Sequence, residues 1–475
     1  MARVVIIGGG ITGLAAAWEL QKNGVDYTLL EASERLGGKI KTEQVDGFIL
    51  EGAADSFLGQ QKPWAWQFCQ ELGLTDRMIG TNEQQRNVYV LQDGRLQLMP
   101  RGMRLIIPAD PDGLLESELL TEEGKRRMLA ETEVPPRTEQ GDESLGSFIR
   151  RRFGQEALDV FGEPLLAGIY VGNPETLSMQ ATFPNYLKME EKYGSLINGF
   201  QNTPVPTPTA DMPKTVFVSF RNGMSEFIEG IRAKLTGDIR LNQKVSHISL
   251  DKVVHLASGE KIQAEAIVLT TPAYVTRELV AELSLELARG LREIRTISSA
   301  TVSLGFKELA RGLREIRTIS SATVSLGFKA DEINYPLDGF GFVVSSKEPT
   351  HLVASTWNST KLAGRAPAGH VLMRVFLGGH RGESDVFLND AEIIALARAE
   401  IKKAMGITAS PVLTRIYRWI NANTQYEVGH FERVARYKGY CPPWLLLTGA
   451  SYDGVGIPDC VRQGRATARQ ALEVL

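Results

Sequence analysis

Three features of this 475-residue sequence predict an α/β fold with α+β parts. An apolar strand runs straight into a glycine turn and a helix at the N-terminus. Strand–helix alternation returns from about residue 216. Between the two lies a stretch of helical spacing and different composition, from about Pro100 to Gly199. At this length one simple core is too small, so two or three lobes are expected.

Ala2–Ile7 is a continuous apolar run with β-branched content, the pattern of a strand covered on both faces. Gly8, Gly9, Gly10, Ile11, Thr12 and Gly13 follow at once. Leu14–Lys22 is then a helix ended by Asn23-Gly24, and Val25–Leu30 a second strand that stops on Glu31. This is G-x-G-x-x-G in its proper setting. Gly8 permits the tight turn, Gly10 lets the backbone approach a pyrophosphate, and Gly13 allows close helix–strand packing. The helix start adds free N–H groups and a positive dipole end. Glu31 is placed to accept ribose hydroxyls and to repel a 2′-phosphate. A ligand-free glycine turn is the alternative; the context favours a bound dinucleotide. A second glycine pair, Gly37-Gly38, sits in Glu34–Lys39 just past the acid.

Phe48–Leu50 leads into Glu51–Phe57, whose small residues allow backbone to approach a flat ring. Trp64–Leu74 is amphipathic and helical. Val88–Leu91 and Leu96–Leu98 form a hairpin around Asp93-Gly94. In the helical stretch, Leu119–Glu131 and Ser144–Phe153 have helical spacing, with a polar loop at Glu133–Asp142. Arg150-Arg151-Arg152 is expected to be a solvated helix end. Residues 200–213 are Pro/Thr-rich and read as a linker.

Val216–Phe220, a helix to about Leu235, the strands Ile239–Leu241 and Val245–Leu250, and the buried strand Ala266–Thr271 are expected to complete the first sheet. Glu286–Lys307 then recurs residue for residue as Glu308–Lys329. Two copies are too few for a solenoid, and perfect identity indicates a recent duplication or an error in the record. Each copy encodes a short amphipathic helix and a strand, Thr301–Phe306 or Thr323–Phe328, and the fold needs one such unit. Further strands follow at Phe340–Ser345, Leu352–Trp357, Val371–Leu377 and Arg415–Trp419, with a helix at Ala391–Met405. Leu445–Gly449 is the last buried strand. It enters Ala450–Cys460, a second glycine-rich turn, and a closing helix, Val461–Leu475.

Charge is nearly balanced, 53 Lys+Arg against 56 Asp+Glu, which argues against nucleic acid as a partner. Cys69, Cys441 and Cys460 have no metal-ligand spacing, so no metal is expected, and a reducing, cytoplasmic setting fits. A core strand from residue 4 leaves no room for a signal peptide, and no apolar run of about 18 residues is present to span a membrane. Peripheral membrane contact stays open.

The second glycine pair resembles that of the flavoprotein superfamily of amine oxidases, phytoene desaturases and porphyrinogen oxidases. Taken with VVIIGGGITGLAAAWEL, EPLLAGIYVGNPETLS, ATFP, SFRNGMS, RWINANTQYEVGH and TGASYDGVGIPDCVRQG, the chain is similar to the oxygen-dependent porphyrinogen oxidases of Gram-positive type. That family comprises coproporphyrinogen III oxidase and protoporphyrinogen IX oxidase. The resemblance implies a Rossmann-like FAD domain (1–55, 216–285 and 415–475) and a discontinuous antiparallel-sheet substrate domain (56–99, 200–215 and 286–414). It also implies a helical lobe at 100–199. It implies non-covalent FAD contacts at Gly8, Gly9, Gly10, Ile11, Thr12, Gly13, Glu31, Ala32, Gly38, Gly52, Ala53, Ala54, Asp55, Val245, Trp419, Gly454, Val455, Gly456 and Ile457. Gly168, Tyr170 and Gly172 are implied to line the substrate cavity, and Lys62 to meet a carboxylate.

The implied reaction is oxidation of coproporphyrinogen III by molecular oxygen, with release of hydrogen peroxide, in heme biosynthesis. A transient hand-off of product to a ferrochelatase is implied as well. No catalytic side chain is assigned, because the flavin carries the chemistry; His430 is expected to be structural rather than a general base. The chain departs from the family at Gln61, where a basic residue is usual, and at Val88, where plant-type members place arginine. It departs again at Asn423-Thr424 and in a helix after His430 cut short by Cys441–Trp444. Protoporphyrinogen IX is the alternative substrate. A flavin amine oxidase is more distant, since only Tyr452 is available to frame a ring. A non-redox flavin-fold binding protein is opposed by Gly37-Gly38 and by the Gly454–Asp459 turn.

Overall fold

The computed structural model describes residues 4–203, 213–281, 283 and 313–475. A five-stranded sheet runs in the order Asp238–Arg240, Tyr27–Leu30, Val4–Ile7, Ala266–Leu269, Leu445–Leu447. All its pairings are parallel, with Val4 set between Tyr27 and Ala266. Its strands come from three distant parts of the chain, so this unit is discontinuous in sequence. Val4–Ile7, Tyr27–Leu30 and Ala266–Leu269 are buried at every residue, as continuous apolar runs require.

The first helix, Ile11–Lys22, and the last, Ile457–Leu472, pack on one face of this sheet with Trp66, Phe68 and Phe227. Their contact is close because residue 464 is glycine: a Cβ there would stand 2.2 Å from the Thr12 carbonyl oxygen. The opposite face buries Val5, Ile7, Ile267 and Leu269 against Leu279, Leu313 and Tyr437.

A seven-stranded sheet forms the second unit. Its order is Leu413–Thr424, Thr318–Lys329, His370–Gly378, Leu352–Thr356, Gly339–Val344, Asn87–Gln92, Arg95–Leu98. It is antiparallel except where Gly339–Val344 lies parallel to Asn87–Gln92. Those two strands are remote in sequence, so no hairpin dictates their direction.

Membership differs from expectation at three strands. Leu413–Thr424 is an edge of the seven-stranded sheet, although the expected boundary at 415 put it with the first unit. Phe217–Phe220 pairs with Phe57–Leu58 and Met78–Gly80 instead of joining the parallel sheet. There it buries Val218 and Phe220 beside Phe57 and Met78. Val245–Ile248 likewise belongs to a separate antiparallel sheet with Val253–Leu256 and Lys261–Gln263.

The helical lobe is built of short helices with side-chain caps. Thr121, Ser144 and Ser195 accept the N–H groups of Gly124, Ser147 and Asn198 at the starts of Glu122–Leu129, Leu145–Phe153 and Leu196–Asn202. Leu119–Glu131, expected as one helix, is Glu122–Leu129 followed by a 3₁₀ turn, Ala130–Glu133. Leu158–Ala167 winds as a π-helix that contains Pro164, which has no N–H for a regular α-ladder.

The arginine run is not a solvated end. Arg152 is wholly buried, bonded from Nε to the Glu131 carboxylate at 2.7 Å and to the carbonyls of Val134 and Gly194. Arg151 reaches Glu190 at 2.5 Å and Glu143 at 2.8 Å. Only Arg150 points outward, toward Gln155 and Glu175. The helix ends against three acidic elements, and pairing with them is what makes burial tolerable.

Of the duplicated segment, the first copy, Glu286–Lys307, lies outside the described residues. The second copy supplies the turn Leu313–Glu315 and the strand Thr318–Lys329, set between His370–Gly378 and Leu413–Thr424. The rest of its expected helix also lies outside the described residues, as does most of the expected linker, 204–212. Residues 200–202 of that linker are helical. No described helix is long and apolar enough to cross a membrane.

Candidate functional site

The two glycine motifs of the N-terminal region meet in space. Gly37 N–H donates to the Gly9 carbonyl at 2.8 Å, and Gly10 bridges Gly37. A Cβ on Gly38 would stand 3.3 Å from Gly10 Cα. Gly13 touches the turn itself: a Cβ there would lie 2.0 Å from the Gly8 carbonyl oxygen. At Gly10, by contrast, a Cβ would meet nothing within 4 Å. The helix begins there without a side-chain cap, leaving first-turn donors facing open space.

Glu31 closes one side of this opening. One carboxylate oxygen accepts Gly9 N–H at 2.7 Å, and the other accepts the N–H and hydroxyl of Ser33 at 2.8 and 2.7 Å. Asn242 and Gln243 tie the 31–33 turn to the strand that starts at the buried Val245. Glu31, Ala32 and Val245 therefore belong to one end of the site.

At the other end Gly454 has φ +94° and donates its N–H to the Tyr426 hydroxyl at 2.8 Å. Gln463 bridges the turn, accepting Gly449 N–H and donating to the Gly454 carbonyl. Gly456 then starts the last helix, again without a side-chain cap. The helix starts at Gly10 and Gly456 thus lie on neighbouring packed helices. Burial pushes the Cys460 thiol up to about 11, so it stands here as an uncharged thiol.

Gly52, Ala53, Ala54 and Asp55 are held from the second sheet. The Gly52 carbonyl accepts Trp419 Nε1 at 2.8 Å, and Lys39 Nζ donates to the Ala422 carbonyl. Arg374 NH1 donates to the Glu51 carbonyl at 3.0 Å and to the Ala53 carbonyl at 2.5 Å. The Asp55 carboxylate, expected among cofactor contacts, is taken up by Lys361 at 2.8 Å, Arg374 at 3.2 Å and Asn358 at 3.3 Å. Burial alone would raise its pKa, but the Lys361 and Arg374 cations hold it well below the usual carboxylate range. Arg374, Lys361 and Asn358 were missed in the sequence. A readable signal was present, since Arg374 interrupts the apolar strand Val371–Leu377 and a buried arginine needs a partner.

The residues expected to meet substrate lie beside the second glycine turn. Lys62 Nζ makes an ion pair with Asp459, in the first turn of the last helix, at 2.6 Å. Tyr170 stacks obliquely on Tyr426, ring centres 5.7 Å apart, and its carbonyl accepts Gln425 Nε2 at 2.9 Å. A Cβ on Gly172 would stand 2.2 Å from Gln425 Oε1, so any larger residue there would have to displace the Gln425 amide. Gly168 starts the turn after the π-helix. Val171, a β-branched residue at φ +54°, marks a strained backbone between them. Gln425, buried here, lies in the RWINANTQYEVGH motif but was given no role from the sequence.

His430 is fully buried behind Tyr426, its ring 4.1 Å from that tyrosine's and its Nε2 at 3.1 Å from the Tyr452 carbonyl. Burial lowers its pKa to about 4, so the ring is neutral near pH 7. Tyr452 sits in the core on the opposite side of the parallel sheet. Among the described residues no cluster of His, Cys, Asp and Glu is arranged to hold a metal.

The family described as flavin containing amine oxidoreductase matches residues 11–472. Coproporphyrinogen III oxidase of Bacillus subtilis (strain 168) is 34% identical, covering 99% of this chain and 98% of its own. That of Staphylococcus aureus is 30% identical, covering 99% of each. A solved structure from Exiguobacterium sp. 255-15, described provisionally as a protoporphyrinogen oxidase, superposes with a TM-score of 0.82. It is 30% identical and covers 99% of both chains.

Proposed function

We propose a function from one premise: the chain belongs to the flavin containing amine oxidoreductase family. It is an FAD-dependent oxidoreductase. Its reaction is oxidation of coproporphyrinogen III to coproporphyrin III by molecular oxygen, with release of hydrogen peroxide, in heme biosynthesis. The observation that carries this reading is the full-length similarity to coproporphyrinogen III oxidases, which takes in every segment of the site. FAD fits because the open space at Gly10 faces uncapped helix donors.

In this reading Gly8–Gly13 and the helix start behind Gly10 hold the pyrophosphate, and Glu31 holds the ribose, with Ala32 and Val245 beside the adenosine. Gly38, Gly52–Asp55 and Trp419 lie along the ring, and Gly454–Ile457 present the second helix start. FAD supplies a two-electron acceptor that oxygen regenerates. The chain's own work is to hold the macrocycle flat, aim one methylene bridge and exclude bulk water. Gly168, Tyr170 and Gly172 form the wall of that cavity. Lys62 meets a substrate carboxylate by exchanging it for Asp459. Three rounds remove six hydrogens, each consuming one oxygen and releasing one peroxide.

The division into an FAD unit, a substrate unit and a helical lobe follows from this reading, with Leu413–Thr424 counted in the substrate sheet. A cytoplasmic setting and transient hand-off to a ferrochelatase complete it. The test is the rate of porphyrin fluorescence from coproporphyrinogen III and from protoporphyrinogen IX, with oxygen uptake and peroxide followed together. Faster oxidation of coproporphyrinogen supports the reading. A preference for protoporphyrinogen favours the assignment of the Exiguobacterium relative, and absence of porphyrin from either substrate rules the reading out.

A further inference from the structure

Behind the Glu51–Asp55 loop the structure buries an unbalanced set of charges. Arg374 and Lys361 share one carboxylate, that of Asp55, while Arg365 lies among the carboxylates of Glu51, Asp55 and Glu226. Arg374 is 4% exposed, Arg365 1%, Glu51 3% and Asp55 4%. Arg374 donates to the Glu51 and Ala53 carbonyls and to Asp55 Oδ2, and its Nε has no hydrogen-bond partner among the described residues. Lys361 Nζ donates to Asp55 Oδ1 at 2.8 Å and lies over the Phe217 ring. Arg365 holds the carbonyls of Arg221 and Phe220 and the Ser219 hydroxyl, which in turn donates to the Asp55 carbonyl. The Glu51 carboxylate accepts Met224 N–H and the Thr42 hydroxyl, both at 2.8 Å. Buried charge is costly and is normally matched one to one. At Asp55 two cations meet one carboxylate, so the local surplus is positive, and Arg374 pins it to the backbone of the loop that carries Gly52, Ala53 and Ala54.

We propose that Arg374 and Lys361 are positioning residues that set the two-electron potential of the flavin, their surplus charge behind the Glu51–Asp55 loop favouring the reduced ring. Reduction delivers two electrons and one proton to the ring system, so its charge becomes more negative by one. A fixed positive charge nearby stabilises that state, and low local dielectric lengthens its reach. The inference rests on the FAD reading above, specifically on the loop's facing the ring.

The sign of the effect separates electrostatics from mere support. In FAD-loaded full-length protein, Lys361→Met removes a cation and Asp55→Asn removes an anion. Equilibrium against a reference dye is expected to move at least tenfold toward oxidised flavin in Lys361→Met, about 30 mV or more for two electrons. In Asp55→Asn it is expected to move the opposite way. Arg374→Met is expected to follow Lys361→Met, and Arg374→Lys to recover most of the potential while binding flavin more weakly. Lys361, the most accessible member with a side chain 14% exposed, keeps the test workable should Arg374→Met fail to fold. Equal potentials, or shifts of the same sign in Lys361→Met and Asp55→Asn, overturn the inference while leaving the FAD reading intact. A wild-type protein that purifies colourless and takes up no added FAD overturns both.

Discussion

A methyl group placed on Gly10 meets nothing within 4 Å, whereas one on Gly13 would stand 2.0 Å from the Gly8 carbonyl oxygen. Gly10 also has ordinary extended torsions, φ −71° and ψ 175°. Gly10→Val is therefore expected to fold with little change in stability, within about 0.5 kcal/mol, yet to lose most of its flavin. Glu31→Ala is expected to lower FAD affinity at least tenfold, and Gly13→Ala to fail at folding. Flavin absorbance and thermal melts of all three variants give the comparison; full flavin in Gly10→Val would remove the pyrophosphate assignment. The two glycine motifs were legible because they are contiguous and each glycine has a steric reason. The arginine run was not, since a charge run looks the same whether its partners are water or remote carboxylates. Arg152→Ala is expected to cost about 3–5 kcal/mol by stranding Glu131, and Arg150→Ala under about 0.5 kcal/mol. Urea midpoints check the pair, and equal midpoints would restore the solvated-end reading.

At the level of elements, the helix His430–Gly439 starts on a buried imidazole and stops just before Cys441-Pro442-Pro443. The short helix was legible, because two consecutive prolines cannot continue it. Its pH response is not a matter of pattern. His430 has a folded pKa lowered by burial to about 4, against an ordinary 6.5 for histidine. Between those values the unfolded chain binds more protons, so stability rises with pH across the window. The contribution is fully present above about pH 6.5 and is lost as pH falls toward 4, roughly 3 kcal/mol in all. Denaturant titrations from pH 4 to 7 should show this slope, and His430→Phe should flatten it. An unchanged slope would place the proton uptake elsewhere. Strand partners were the less legible part at this scale. Phe217–Phe220 and Leu413–Thr424 were both visible as strands, but a short apolar alternation says that one face is buried, not against which sheet. The π-helix at Leu158–Ala167 left only Pro164 as a sign.

For the whole molecule, the duplicated segment asks how much chain the fold uses. The seven-stranded sheet takes one strand, Thr318–Lys329, from the second copy, and Leu313 and Ile316 pack under the parallel sheet. Described structure resumes at Leu313, whose 3₁₀ turn touches the helix Ala273–Ala281. Excising Glu286–Lys307 leaves two residues before the junction and five after it, seven in all, between residues 283 and 313. At about 3.3–3.6 Å per residue, eight virtual bonds reach about 26–29 Å, ample for two elements already in contact. Shortening this connection from residues 284–312 to seven lowers the closure entropy by about 1 kcal/mol. It also deletes Thr301–Phe306, an apolar strand sequence identical to one the sheet has already placed, and with it a candidate for edge pairing. The excised chain is thus expected to melt at or above the temperature of the full chain, with equal flavin content and less aggregation on heating. Calorimetry, flavin absorbance and light scattering on both proteins decide it. A lower melting temperature or lost flavin in the excised protein would mean that Glu286–Lys307 makes contacts the fold depends on, and that the second copy alone does not suffice.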